Sequence, residues 1–289
     1  MVGTDGIALA VHERGPADAP TVLLVHGYPD DHAVWDLVAE RLAADHHVVA
    51  YDVRGAGTSG VPASRHGYRM AALAADVATV AAAVSPDRPV HLVAHDWGSI
   101  QSWAAVTDPV LAPSFASFTS LSGPSLAHVG PWLRRRRRPG AGRWRDLRRQ
   151  AVRSWYIGAF QTPLAPLVWR AGLARAWPRL VARGEGAAVD ARWPGPHLAD
   201  DAARGVELYR ANMRPGSPRA AAVPTPVPVR LVIATDDRYV TPALLDGIEA
   251  LAPRLDRCPV AGGHWLPRSR PDEVARLVRE HVAAVEGSV

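Results

Sequence analysis

The chain contains no lysine: all 33 of its basic residues are arginine. It has one cysteine, Cys258, and only three methionines and three phenylalanines. A lone cysteine excludes a disulfide framework and points to a reducing cytosol, so a cytoplasmic location is expected. No apolar run approaches the roughly 20 residues needed to span a bilayer. The opening MVGTDGIALAVHERG lacks the basic segment and long apolar stretch of a signal peptide. Internal repeats and long low-complexity segments are also missing. The missing lysine changes how the pI of about 9.9 is read. With abundant alanine, glycine, proline and valine, arginine-only usage reads as a GC-rich coding bias, and the formal net charge is only +5. No nucleic-acid partner is therefore expected. Much of the basic excess is local, in Arg134 to Arg149; the plainer reading is a solvated surface segment, and the run Arg134–Arg138 is also a candidate for weak contact with an anionic membrane surface.

At 48% hydrophobic, the 289 residues are enough for one large core, or a core with a lid. Strand and helix signals alternate over the first 125 residues. Thr21 to Val25, His47 to Val53, Val90 to Ala94 and Phe115 to Leu121 read as strands. Asp31 is placed to cap a helix with Val34, Leu37, Val38 and Leu42 on one face, and Tyr68 to Val84 is a second helix. Such alternation predicts an α/β fold with a mostly parallel, doubly wound sheet. The pattern changes near Pro124. Residues 126–222 hold six of the ten tryptophans and read as helical. Strand character returns at Val229 to Ala234, and a last helix opens at Pro271 with acids in its first turn and a stripe of Val274, Leu277, Val278, Val282 and Val285. The expected organisation is a core of residues 1–125 and 223–289, with 126–222 as a helical cap entering after the sixth core strand.

The chemistry is concentrated in VHLVAHDWGSIQSW, Val90 to Trp103. It reads as a buried strand, a sharp turn and a helix, with Asp96 at the apex between Ala94 and Gly98. Small residues two places either side allow the tight bend of a nucleophile elbow. An aspartate there is already anionic at neutral pH and needs no activating base. A carboxylate suits displacement at a saturated carbon better than attack on an amide or ester. An aspartate that only caps the following helix is the plainer alternative; the flanking pattern and the downstream partners favour the nucleophile.

Those partners are Thr235-Asp236-Asp237-Arg238-Tyr239-Val240-Thr241-Pro242 after a strand, then Gly262-Gly263-His264-Trp265. Nucleophile, acid and histidine thus follow the chain order of the α/β-hydrolase triad. Upstream, His26-Gly27-Tyr28-Pro29 follows the first core strand, so the N–H groups of Tyr28 and Trp97 are the candidate oxyanion hole. Taken together, HGYPD (26–30), YDVRGAGTSG (51–60), HDWGS (95–99), DRYVTP (237–242) and GGHW (262–265) resemble an epoxide hydrolase of the α/β-hydrolase superfamily. The type is the actinobacterial one sometimes fused to a short-chain dehydrogenase domain. The resemblance covers essentially the whole chain. It implies Asp237, not Asp236, as the triad acid. It also implies two cap tyrosines that hold the epoxide oxygen: Tyr156, ahead of Phe160, Gln161 and Pro163, and Tyr209, ahead of Arg210, Asn212 and Met213. A small, hydrophobic epoxide substrate and no cofactor follow from it. No fused dehydrogenase domain is expected beyond Val289.

Two patterns invite other readings. Gly55-Ala56-Gly57-Thr58-Ser59-Gly60 satisfies the dinucleotide fingerprint, but Pro62 and a polar stretch stand where a helix should open. His91 and His95 bracket a strand and lack the glutamate of a zinc helix, so no metal is expected. Among enzymes the rival is a haloalkane dehalogenase, which also uses an aspartate elbow. It needs a halide donor beside Trp97 that is often asparagine where this chain has Tyr28. A non-catalytic ligand-binding hydrolase fold would be signalled by a lost triad member, and none is lost.

Overall fold

The fold comes from a computed structural model that describes Gly3 and residues 5–137, 143–214 and 223–287. Its centre is a seven-stranded sheet of β1 (Val11–Arg14), β2 (Thr21–Val25), β3 (His47–Tyr51), β4 (Val90–His95), β5 (Phe115–Leu121), β6 (Val229–Ala234) and β7 (Leu255–Val260), in the spatial order β1-β3-β2-β4-β5-β6-β7. Only β1 runs antiparallel, pairing Val11 with Tyr51; the other pairs are parallel. Every residue of β2, β3 and β4 is buried, as expected for strands covered on both faces.

Two apolar clusters lie on opposite sides of the sheet. Because side chains alternate across a strand, Leu23, Val49, Leu92 and Phe118 enter one cluster, while Val22, Leu24, Val48 and Val93 enter the other. The first is covered by α2 (Met70–Val84) and α3 (Trp97–Val106). The second is covered by α1 (Asp36–Leu42) and the C-terminal helix Pro271–Glu286. Asp31 caps as expected, its carboxylate accepting from the Ala33 N–H at 3.0 Å, though the element it opens is a 3-10 turn leading into α1.

Between β5 and β6 the chain is helical: α4 (Leu126–Arg136), α5 (Arg143–Arg153), α6 (Trp155–Phe160), α7 (Ala165–Val168), a π-helical turn over Trp169–Leu173, α8 (Ala174–Glu185) and α9 (Leu198–Asn212). The short α10 (Leu266–Ser269) and α11 (Pro271–Glu286) close the chain. This helical insertion follows the fifth strand, not the sixth. Ahead of β1 the described residues make only an isolated bridge at Ala8, whose carbonyl accepts from Gly60 N–H; one such contact is too little to found a strand. The expected strand at His47 to Val53 ends at Tyr51, because Asp52 turns into a loop where its carboxylate accepts from the N–H groups of His32 and Thr58, both at 3.0 Å.

Candidate active site

Asp96 follows β4 directly, with φ +51° and ψ −121°, a backbone region that costs a non-glycine residue strain. The bend survives because its surroundings demand it. A Cβ on Gly98 would strike the carbonyl oxygens of Val25 and His26, and one on Gly27 would sit 2.6 Å from the Asp96 carboxylate. The Asp96 side chain makes no capping bond to α3, which removes the helix-cap alternative. Its Oδ2 instead accepts from Tyr28 N–H at 2.9 Å, and its Oδ1 lies 3.4 Å from His264 Nε2. Trp97 is the first residue of α3, so its N–H has no partner within the helix.

Asp237 stands in the loop after β6 and His264 in the loop after β7, both buried. His264 Nδ1 and Asp237 Oδ2 are 3.0 Å apart, while Asp237 Oδ1 accepts from the N–H groups of Tyr239 at 2.7 Å and Val240 at 2.9 Å. All three side chains thus gather at the carboxyl ends of parallel strands, where open α/β sheets bind ligands. Asp236 takes no part; its neighbour Thr235 Oγ1 donates to it at 3.3 Å.

The electrostatics follow from this geometry. Burial opposes charge on Asp96, but His264, His95 and the Tyr28 N–H more than offset it and hold the carboxyl below its usual range. Asp237 behaves alike, through His264 and the two backbone N–H groups. Burial opposes charge on His264 too, yet its two carboxylates outweigh that and raise the imidazolium well above its ordinary pKa. Both shifts favour an anionic carboxylate beside a protonated imidazole.

Two cavities of about 300 and 330 Å³ meet at Asp96, and both are lined by Tyr156, Tyr209 and Tyr239. The larger is walled by tryptophans, among them Trp155, Trp169 and Trp177. The smaller is mostly aliphatic, with Leu126, Val129, Leu133 and Leu147. The Tyr156 and Tyr209 rings meet edge to face at 5.8 Å, and Tyr209 packs on Trp97 at 4.9 Å. Burial first, and then the negative charge of Asp96 among other neighbours, raise both phenols well above their usual pKa. They remain protonated donors. Tyr28 is differently employed: its hydroxyl donates to Ala202 O at 3.0 Å.

Three cap residues unmarked by any motif brace the triad loops. Gln150 Oε1 accepts from Thr241 N–H at 3.0 Å and Gln150 Nε2 donates to Tyr239 O at 2.7 Å. Arg153 donates to Asp237 O. Glu185 Oε2 accepts from the His264 N–H at 2.7 Å, and burial raises its carboxyl pKa despite that bond. Nothing in the sequence separates these three from ordinary polar residues of amphipathic helices. Tyr239, whose ring lies 4.8 Å from that of His264, did lie within the DRYVTP stretch.

Among the described residues one group is close enough to share a metal: His12, His32 and Asp52. The two rings stack at 3.4 Å with 12° between their planes. An ion in the plane of one ring would lie far out of the plane of the other, so the stack is a poor chelate. Asp52 is already engaged by His32 Nδ1 at 2.7 Å.

A family profile described as the alpha/beta hydrolase fold matches residues 20–270. The chain belongs to the α/β-hydrolase fold family. Within that family it is 39% identical over 295 residues to a protein of Mycobacterium tuberculosis named probable oxidoreductase EphD, covering 98% of this chain and 49% of the relative. The chain thus spans about half the length of that relative. It is 29% identical to epoxide hydrolase A of M. tuberculosis, covering 99% of this chain and 97% of the other. An epoxide hydrolase structure from Bacillus megaterium superposes with a TM-score of 0.80 at 20% identity, covering 97% and 99% of the two chains; at that identity the likeness is one of fold. No described helix of this chain is long and apolar enough to cross a membrane.

Proposed function

We propose that this α/β-hydrolase opens an epoxide to a vicinal diol through an ester on Asp96. The observation that carries the reading is the split environment of that carboxylate, with Oδ2 on the Tyr28 N–H and Oδ1 3.4 Å from His264 Nε2, where the two cavities lined by Tyr156 and Tyr209 meet. In the first step Oδ1 bonds to a ring carbon and the ring C–O bond breaks. The electron pair stays on the oxygen, which takes hydrogen bonds and then a proton from the two phenols. Esterification removes the Asp96 charge that helped hold the tyrosines up, so they become better acids as the alkoxide forms.

The same change prepares the second step. With Asp96 esterified, one of the two carboxylates supporting the His264 proton is neutral. The imidazolium pKa falls, its proton passes to the phenolate left by the first step, and neutral His264, oriented by Asp237, becomes a base. It takes a proton from water, which attacks the ester carbonyl. The oxyanion on Oδ2 rests on the N–H groups of Tyr28 and Trp97; as the bond from the acyl carbon to Oδ1 breaks, the departing oxygen takes a proton from the His264 imidazolium, the diol leaves, and the Asp96 acid returns its proton to His264. Residues 1–125 and 223–289 supply the nucleophile, the triad partners and the oxyanion hole, and the cap of 126–222 supplies the tyrosines. Two cavities on either side of Asp96 suit an apolar epoxide with a substituent on each ring carbon. The site resembles a halide pocket less, because the phenol at position 28 is committed to Ala202. No step calls for a metal or cofactor.

The test is to trap the intermediate. His264→Gln removes the base of the second step only. Intact mass should rise by one substrate, with the label on Asp96 by peptide mapping. Full turnover by this variant, or a label elsewhere, refutes the mechanism. Contact of Arg134–Arg138 with an anionic surface remains a proposal, though Arg138 lies outside the described residues and Arg136 is paired with Asp246 and Asp146.

A further inference from the structure

Between residues 126 and 168 the chain carries ten arginines and one acid, Asp146. The whole chain is only +5, so the remainder is net negative and the basic charge is collected on α4, α5 and the stretch joining them. Asp146, the one acid of α5, is itself 3.5 Å from Arg136 of α4. The same stretch concentrates exposed apolar side chains. Trp144 and Val152 of α5, Trp155 of α6, and Leu164, Leu167 and Val168 around α7 are all more than half exposed, Val152 and Trp155 reaching 71%.

Helix α5 shows how the two properties are arranged. Leu147, Gln150, Ala151 and Ser154 at its end line the aliphatic cavity. Arg145, Arg148, Arg149 and Val152 are exposed. Both sets follow the i, i+3, i+4, i+7 spacing, offset by two residues, which sets them about 200° apart around a helix of 3.6 residues per turn. One face of α5 walls the cavity and the other presents cations and apolar groups to the outside. Trp155 joins the two surfaces, since it is exposed and also walls the aromatic cavity.

We propose that the outer face of α5 to α7 docks on an anionic lipid surface. Arginines would meet headgroup phosphates while Trp144, Val152 and Leu167 enter the headgroup–acyl boundary, as in interfacial helices that combine basic and aromatic side chains. Codon bias accounts for arginine in place of lysine, but not for its collection on the cap beside exposed tryptophans. The apolar groups favour lipid over nucleic acid, whose backbone offers them nothing to bury against. Docking would set the wall of the substrate cavities on the phase into which an apolar epoxide partitions. That purpose rests on the proposed reaction; the docking itself is read without turnover.

The intact chain is floated with vesicles of phosphatidylcholine alone and of phosphatidylcholine mixed equally with phosphatidylglycerol. Binding is expected only to the anionic vesicles, and it should weaken steeply with salt, since exposed charges are screened within about 10 Å at 0.1 M. Each surface arginine near an anionic bilayer is worth about fivefold in binding, so Arg145→Gln/Arg148→Gln/Arg149→Gln should lose on the order of 100-fold. Trp144→Ser/Val152→Ser/Leu167→Ser should also lose binding, with circular dichroism unchanged in both variants. Absence of binding to anionic vesicles, or binding that survives both variants, overturns the proposal. So does a wild type that leaves vesicles alone but binds a duplex oligonucleotide, or that forms a dimer which the apolar variant breaks. Failure of the His264→Gln trap would overturn the reaction and leave this result standing.

Discussion

The sheet and the cap hold their halves of the site by different means. On the sheet side, Asp96, Asp237 and His264 are fixed by strand ends and by backbone N–H groups: Tyr28 on Asp96, Tyr239 and Val240 on Asp237. On the cap side, Tyr156 and Tyr209 are held by aromatic packing, with Phe160 5.5 Å from the first ring and 4.8 Å from the second. Hydrogen bonds fix an atom to within tenths of an ångström. Ring packing fixes a plane and lets the hydroxyl find its acceptor. In the proposed reaction this division would suit a carboxylate that must strike one carbon and donors that must follow an oxygen as its bond breaks.

The largest expected effect removes the sheet half. Asp96→Ala should lose on the order of 10⁴-fold or more in turnover, the scale seen when a nucleophile is deleted, and should form no ester. Appreciable residual diol formation would mean that water attacks the epoxide directly. Removing donors from the cap half should hurt less. Tyr156→Phe and Tyr209→Phe should each cost on the order of 10²–10³ in rate, as for other oxyanion donors, with the double variant nearly inactive and its melting temperature little changed. The loss should appear in single-turnover alkylation and not in hydrolysis of a preformed ester. If both variants keep full epoxide activity, or if haloalkanes prove the better substrates, the dehalogenase reading replaces this one.

The struts that join the halves come next. Gln150→Leu and Glu185→Gln leave every reacting group in place but loosen the loops that carry Asp237 and His264. Small misplacements of this kind cost about 10- to 100-fold, and the cost should fall on ester hydrolysis, leaving alkylation close to wild type. A uniform loss in both steps would make them merely structural. The pH dependence separates the steps further. Alkylation needs ionised Asp96, whose pKa is depressed, so its rate should be flat from neutral pH down into the acid range. Hydrolysis needs neutral His264, so it should rise with pH. Asp237→Asn removes a carboxylate that supports the imidazolium and should move that rise to lower pH, even as the plateau falls.

What the sequence reveals about this molecule follows burial. The inner strands β2, β4 and β6 are largely apolar runs and read directly, as does the elbow, because strain at Asp96 demands small residues at fixed offsets. The edge strands β1 and β7 did not read as strands. β1 is VHER and β7 is LDRCPV, both largely half-exposed, so neither carries the apolar run that marks a covered strand. Pro259 in β7 is tolerated because the sheet ends there. The cap tyrosines were legible only through family motifs; by spacing alone they are amphipathic core residues. Gln150, Arg153 and Glu185 left no trace, since a side chain that reaches a loop 80 or 90 positions away has no local signature. The outward basic stripe of α5 lay in plain view as charge, but its opposition to the cavity needed the helix to be placed.

The smallest expected effect lies at the seam between the two regions. Asp201 of α9 is buried, and its Oδ2 accepts from Gly57 N–H of the core at 3.0 Å. Burial raises its pKa to about 7, and the negative Asp31 and Asp52 add to the rise. Arg204, 3.7 Å away, is too distant to restore the charge. In the unfolded chain an aspartate ionises near pH 3.9. Between that value and about pH 7 the folded state binds the extra proton, so stability falls as pH rises through this window and the penalty is complete above it. Asp201→Asn keeps an acceptor for Gly57 and has no charge to bury. It should therefore melt higher than wild type at pH 8, by about 2–4 °C for each kcal/mol relieved in a chain of this size, and the gap should close toward pH 4. A gap that persists at pH 4 would show that the substitution acts through packing and that the cap–core seam carries no buried charge.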